Sequence, residues 1–224
     1  TLAAFRLGAQ HGYRMFECDA KLSADGVPFL LHDATLERTT NGRGTGGDLP
    51  LGALAQLDAG SWHSRAYAGE AVPTLEALAR FCIANGYFLN IEIKPTPGQE
   101  ETTGRVVGET AARLWQGQAV PPLFSSFKPD ALAGAQATAA HIPRALLLDT
   151  LWDGCLDTAR RLGCVAIVCN HALWDAALVA QVKDMGMRTL SYTVNDDWAA
   201  QRLIALGTDG IITDRVDLFS PATP

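Results

Sequence analysis

From residue 87 onward the sequence repeats one pattern, a short apolar run rich in β-branched residues followed by a stretch with helical character. The runs are YFLNIEIK (87–94), LFSSF (123–127), RALLL (144–148), VAIVCN (165–170), RTLSYTV (188–194) and GIITD (210–214). Between them helices are expected around 100–116, from Pro129-Asp130, around 153–162, and around 174–185 with Gly186 ending the last. Asn195 reads as the N-cap of a final helix, with Asp196 and Asp197 in its first turn and Gly207 at its end. Short apolar runs alternating with helices point to a parallel sheet buried on both faces, because parallel neighbours need a crossover connection.

Upstream of this repeat, Tyr13 to Asp33 (YRMFECDAKLSADGVPFLLHD) reads as a hairpin, two apolar runs joined by a Ser-Ala-Asp-Gly turn. Taking 13–19 as its barrel strand brings the strands to seven. A doubly wound open sheet is the competing arrangement, but no G-x-G-x-x-G follows any run. The chemically reactive residues fall at the C-terminal ends of strands, where barrel sites form. The expected fold is therefore α/β, a TIM (β/α)8-type barrel forming one domain over residues 1–224. Its first strand is expected to lie before Thr1, because TLAAFRLGAQHG already reads as a helix, with Leu2, Phe5 and Ala9 on one stripe.

Residues 34–73 interrupt the pattern. NGRGTGG is flexible, PLGALAQLD suits one or two helical turns, and GSWHSRAYAGE is irregular. A segment of this length inside one domain reads as a small insertion rather than a plain connection. It gives way to a well-marked helix: Thr74 as N-cap, then Leu75, Leu78, Ala79, Cys82 and Ile83 at helical spacing, then Gly86.

With 48% hydrophobic residues the chain can bury one substantial core. A formal charge of −6 without a basic block argues against nucleic acid or an anionic membrane as partner. No apolar run approaches the roughly 18 residues a membrane-spanning helix needs. Cys18, Cys82, Cys155, Cys164 and Cys169 form no C-x-x-C, which favours a reduced, cytoplasmic setting; the start of the chain leaves periplasmic or secreted locations open. Nothing in the sequence sets an oligomeric state.

Glu17 and Asp19, two residues apart on a strand, point to one face, and Asn90, Glu92 and Lys94 share a face in the same way. The neighbouring parallel strand would bring the second row against the first. Three carboxylates suit a hard divalent cation, Mg2+ or Ca2+, and burying them unpaired costs several kcal/mol. A structural ion-pair network in which Lys94 neutralises Glu92 is the alternative. His32 is the candidate proton-transfer group; otherwise it is a polar strand end, with Asp33 capping the loop. His11, His63, His141 and His171 lack acidic neighbours at matching spacing, and no Lys-Ser/Thr follows the Gly42–Gly47 cluster, which reads as a flexible loop.

Taken together, FECDAKLSADGVPFLLHDATLERTTNGRG, LDAGSW, VPTLEALAR, LNIEIKP, FSSF, SYTVN and DGIITD resemble the glycerophosphodiester phosphodiesterase family over essentially the whole chain. The resemblance implies a barrel enzyme that hydrolyses a small-molecule glycerophosphodiester to glycerol 3-phosphate and an alcohol. It implies a divalent cation on Glu17, Asp19 and Glu92, His32 as one of two catalytic histidines, Lys94 beside the phosphate, and 34–73 as the family's insertion. Tyr192, where family members usually carry Trp, would line the substrate site. Family members open with His-Arg-Gly on the first strand, and this chain starts at the Thr of the Pro-Glu-Asn-Thr stretch that follows. Val216 also stands where Pro is common. Two other functions fit the same residues. A phospholipase D-like relative acting on lysophospholipids would need more exposed apolar surface than Trp62 and Tyr67 offer. A non-catalytic phosphodiester- or metal-binding barrel would hold a cation without turnover.

Overall fold

Strand pairing in a computed structural model, which describes residues 1–221, follows the expected repeat. Helix α1 (Leu2–Gln10) leads into β1 (Met15–Leu22), which turns back through β2 (Pro28–Leu30). After a single helical turn, α2 (Leu51–Leu54), and helix α3 (Leu75–Asn85), the alternation runs β3 (Phe88–Ile93), α4 (Glu100–Leu114), β4 (Leu123–Ser126), α5 (Pro129–Thr138), β5 (Arg144–Leu148), α6 (Cys155–Arg161). It ends with β6 (Cys164–Asn170), α7 (Ala176–Asp184), β7 (Arg188–Tyr192), α8 (Asp197–Leu206) and β8 (Gly210–Ile211). One sheet holds all eight strands in the order β2-β1-β3-β4-β5-β6-β7-β8, every pairing parallel except β1 with β2. This is the (β/α)-barrel arrangement, with β2 as an antiparallel flap that meets β1 only over Ala20–Leu22. The expected domain extends to residue 224, so its last three residues lie outside the described part.

Alternation along the strands divides two cores. Outward-facing Cys18, Ala20, Ile91, Ile93, Phe124, Leu146 and Ile167 meet Leu78, Cys82, Val107, Leu132 and Leu203 of the helices. Fully burying one such Leu, Ile or Phe side chain contributes about 1.5–3 kcal/mol. Inward-facing Ala145, Leu147, Ala166 and Val168 make a separate cluster with Leu123, Phe127, Leu190, Tyr192 and Ile212. The longest helix contact, α4 on α5, depends on glycine, since a Cβ on Gly104 would come within 2.0 Å of the Ala131 carbonyl oxygen.

The insertion closes over its own small core of Phe29, Leu31, Leu36, Leu54, Ala59 and Val72. Asp58 organises it, accepting from the backbone N–H of Gly60, Ser61 and Gly69 and from the Ser61 hydroxyl. Gly60 is obligatory there, because a Cβ would sit 1.8 Å from the Tyr67 carbonyl oxygen.

Helix α3 has the expected ends: the Thr74 side chain accepts from Ala77 N–H, and Gly86 takes the left-handed conformation, φ 65°. Three expectations are corrected. The hairpin's second strand stops at Leu30, so His32 and Asp33 lie in the loop beyond it rather than on the strand. Strand β1 begins at Met15 and runs on to Leu22, up to the expected Ser23–Gly26 turn, which the Gly26 N–H to Ser23 carbonyl bond closes. Asp196, not Asn195, is the N-cap of α8. Asn195 is drawn away by β8's continuation, accepting from Asp214 N–H at 3.0 Å and Thr213 Oγ1 at 3.2 Å. No helix among the described residues is long and apolar enough to cross a membrane.

Candidate active site

Register brings the two polar rows together. Parallel pairing sets Asp19 opposite Glu92 and Glu17 opposite Asn90, so their side chains share the sheet's inner face. Carboxylate oxygens of Glu17, Asp19 and Glu92 lie within 4.8 Å of one another. Lys94, just past the end of β3, donates from Nζ to Asp19 Oδ1 at 2.9 Å and stands 3.7 Å from Glu92 Oε1. Its closer partner is therefore Asp19, not the Glu92 that a simple neutralising pair calls for. Glu17 Oε1 and Glu92 Oε1 are buried and accept no hydrogen bond.

These carboxyls are reluctant to ionise. Burial, then the charges of Asp19 and Glu92, pushes Glu17 well above the ordinary carboxylate range. Burial likewise pushes Glu92 up to about 7, against the opposing pull of Lys94. Even with Lys21 beside Lys94, two lysines do not balance three largely buried acids. Orphaned oxygens converging on one point are the donor set of a hard cation, so the residues present fit a divalent metal.

Lys21 adds a second cation that the sequence reading passed over. It follows Asp19 by two on the same face, is 5% exposed, and its Nζ donates to the Lys94 carbonyl at 3.3 Å. The alternation that found Glu17 and Asp19 would have found it too. Burial and the charge of Lys94 lower its pKa.

His32 stands at the rim with its side chain 65% exposed. Asp33 does not cap the loop. Its carboxylate takes Arg38 Nε at 2.6 Å and Nη2 at 2.8 Å, and His32 Nδ1 lies 2.7 Å from its Oδ1. The Arg38 fork holds the Asp33 carboxyl well below the usual range. An ionised carboxylate only accepts, so the proton belongs on Nδ1 and Nε2 is left to face solvent or substrate. Glu17, Asp19 and His32 line one cavity of about 340 Å3, together with Trp62, His63 and Tyr67 of the insertion. His63, set aside from the sequence, thus faces the same space, and its ring packs edge-on against Trp62 and Tyr67.

Tyr192, the last residue of β7, does not line that cavity. Its hydroxyl lies 3.1 Å from the Leu148 carbonyl and 3.3 Å from Asp149 Oδ1, and its ring meets Phe127 edge-on. His171 lies in a 3-10 turn after β6, and His11 caps the end of α1; neither lines that cavity.

The sequence model of the glycerophosphoryl diester phosphodiesterase family matches residues 1–218. A glycerophosphodiester phosphodiesterase of Caldanaerobacter subterraneus subsp. tengcongensis is 30% identical over 220 residues, covering 96% of this chain and 87% of the relative. Among solved structures, an Oleispira antarctica phosphodiesterase in complex with the product sn-glycerol-3-phosphate superposes with a TM-score of 0.88 at 34% identity, covering 96% of this chain and 86% of that one. A glycerophosphodiester phosphodiesterase of Agrobacterium tumefaciens gives a TM-score of 0.78 at 28% identity, covering 98% and 92%. Matched along nearly its full length in sequence and in backbone, with the acidic cluster at its strand ends, the chain belongs to the glycerophosphoryl diester phosphodiesterase family.

Proposed function

We propose that the chain hydrolyses small glycerophosphodiesters to glycerol 3-phosphate and an alcohol, in one barrel domain over residues 1–224 with 34–73 as its insertion. The observation that carries this reading is the carboxylate cluster with its orphaned oxygens, two members of which, Glu17 and Asp19, line the same cavity as His32. Glu17, Asp19 and Glu92 would hold a divalent cation, Mg2+ or Ca2+. When bound, such an ion offsets charge on a non-bridging phosphate oxygen.

The chain's own groups do the rest. Lys94 keeps Asp19 in place and adds positive charge beside the phosphate. His32, its Nδ1 proton engaged by Asp33, presents Nε2 as a proton-transfer group at one ester oxygen. Arg38 keeps Asp33 ionised and the ring fixed. Tyr192, with its hydroxyl already committed, contributes the edge of its ring to the substrate wall. Five buried free thiols support a reduced compartment.

The test is product release from glycerophosphocholine, assayed beside lysophosphatidylcholine, with and without chelator. Chelator-sensitive release of glycerol 3-phosphate, and loss of about 10²–10⁴-fold in rate in His32→Ala, are expected. Turnover of the lysophospholipid alone would favour the phospholipase D-like function. Cation binding with no product from either would leave a binding barrel.

A further inference from the structure

Four buried side-chain oxygens without a hydrogen-bond partner lie on three adjacent strands: Glu17 Oε1 on β1, Asn90 Oδ1 and Glu92 Oε1 on β3, and Ser125 Oγ on β4. Two are carboxylates of the proposed cation site, and two are neutral. Register places Asn90 opposite Glu17 and Ser125 opposite Glu92. Their chain neighbours Cys18, Ile91 and Phe124 pack outward against the helices, so all four oxygens belong to the inner face. Asn90 is 8% exposed and Ser125 is 0% exposed. The other such atoms among the described residues, His171 Nδ1 and Ser191 Oγ, stand on elements away from these three strands.

A buried amide and hydroxyl without partners weaken a fold, and the loss is ordinarily avoided by substitution with apolar residues. Two of them beside three carboxylates have a chemical reason when all these oxygens serve one positive centre. A row confined to Glu17, Asp19 and Glu92 would supply three ligands and leave the remainder to water, as Mg2+ prefers. Ca2+ takes six to eight oxygens, amide carbonyls among them, in flexible geometry.

We propose that Asn90 Oδ1 and Ser125 Oγ complete the oxygen shell of the divalent cation and that this wider set selects Ca2+ over Mg2+. The inference rests on the cation site proposed above. It assigns to two neutral residues a metal-selecting role, which explains why polar atoms occupy inner-face positions of the kind that Ala145, Leu147, Ala166 and Val168 fill on β5 and β6.

Calorimetric titration of the full chain with Ca2+ and with Mg2+, alongside thermal melts in chelator, tests it. The unaltered chain is expected to bind Ca2+ more tightly than Mg2+. Asn90→Leu should weaken Ca2+ binding by about 10–100-fold, in the range typical for groups that support a metal's ligands, and narrow the Ca2+ to Mg2+ ratio. In chelator it should melt no lower than the unaltered chain, because leucine removes an orphaned amide. Ser125→Ala, a smaller change that keeps the fold readable if Asn90→Leu does not fold, should weaken Ca2+ binding by about tenfold. Ca2+ binding unchanged in both variants would overturn the inference, as would a preference for Mg2+ in the unaltered chain. Failure of the unaltered chain to bind either ion would overturn the cation site itself, and the inference with it.

Discussion

The two walls of the sheet's inner face are built to different ends. On β5 and β6 the inward residues are Ala145, Leu147, Ala166 and Val168, buried and packed together. On β1 and β3 the equivalent positions are Glu17, Asp19, Lys21, Asn90 and Glu92, with several oxygens unpartnered. Both walls use the same strand geometry and the same alternation. The apolar wall holds the barrel together through burial, whereas the polar wall gives up packing and collects charge that the fold does not itself neutralise.

The sharpest way to break this contrast is to remove one charge from the polar wall. Glu92→Gln should lower the rate of glycerophosphodiester hydrolysis by about 10²–10³-fold, comparable to losing one fixed group that stabilises transition-state charge. In chelator at pH 8 its melting temperature should equal or exceed that of the unaltered chain. A clear drop in melting temperature with activity retained would make the cluster a structural network after all.

Leu147→Ala probes the other wall and should behave in the opposite way. A buried leucine truncated to alanine costs about 2–5 kcal/mol by chemical denaturation, with metal affinity near that of the unaltered chain. Equal losses of stability from Glu92→Gln and Leu147→Ala would erase the distinction between the walls.

Titration sharpens it further. Burial raises the Glu92 carboxyl from the ordinary carboxylate range to about 7 in the folded protein. Its contribution to stability is therefore full below the unfolded value and is lost as pH rises through about 7. Metal-free protein should lose on the order of 1–3 kcal/mol between pH 5 and pH 8, and a saturating divalent cation should reverse much of that loss. For the same reason cation affinity should rise with pH over that window. Chelator-treated protein whose melting point is flat from pH 5 to pH 8 would count against the buried charge. The apolar wall carries no such dependence.

The smallest effect is expected at the rim. Arg38→Gln should slow turnover by up to about tenfold by releasing Asp33, while stability changes by less than about 1 kcal/mol, as for exposed ion pairs. A rate equal to that of the unaltered chain would remove Arg38 from the site.

Much of this site is legible in the sequence. The order of strands and helices after residue 87 follows from periodicity, and the Asp19 to Glu92 pairing follows from two polar rows on adjacent parallel strands. Lys94 follows from the same alternation; it stands 3.7 Å from Glu92 but closer, at 2.9 Å, to Asp19, because which of two carboxylates an ammonium reaches depends on side-chain direction above the strand end. Asn195 shows the opposite failure: an N-cap preference of local origin lost to hydrogen bonds with Thr213 and Asp214, some 18 residues away. Arg38 was invisible, since no periodicity relates residues across the irregular loop between Asp33 and it.

By itself, then, the sequence determined which residues lie on which face, because alternation and helical period are properties of the local backbone. It thereby placed Glu17, Asp19, Glu92 and Lys94 in one barrel mouth. Only the tertiary structure decided which of those oxygens have partners, since pairing depends on neighbours brought in from other strands and loops. Lys21 buried beneath Lys94, Asn90 and Ser125 left without donors, and His32 steered by Asp33 and Arg38 all belong to that second kind of fact.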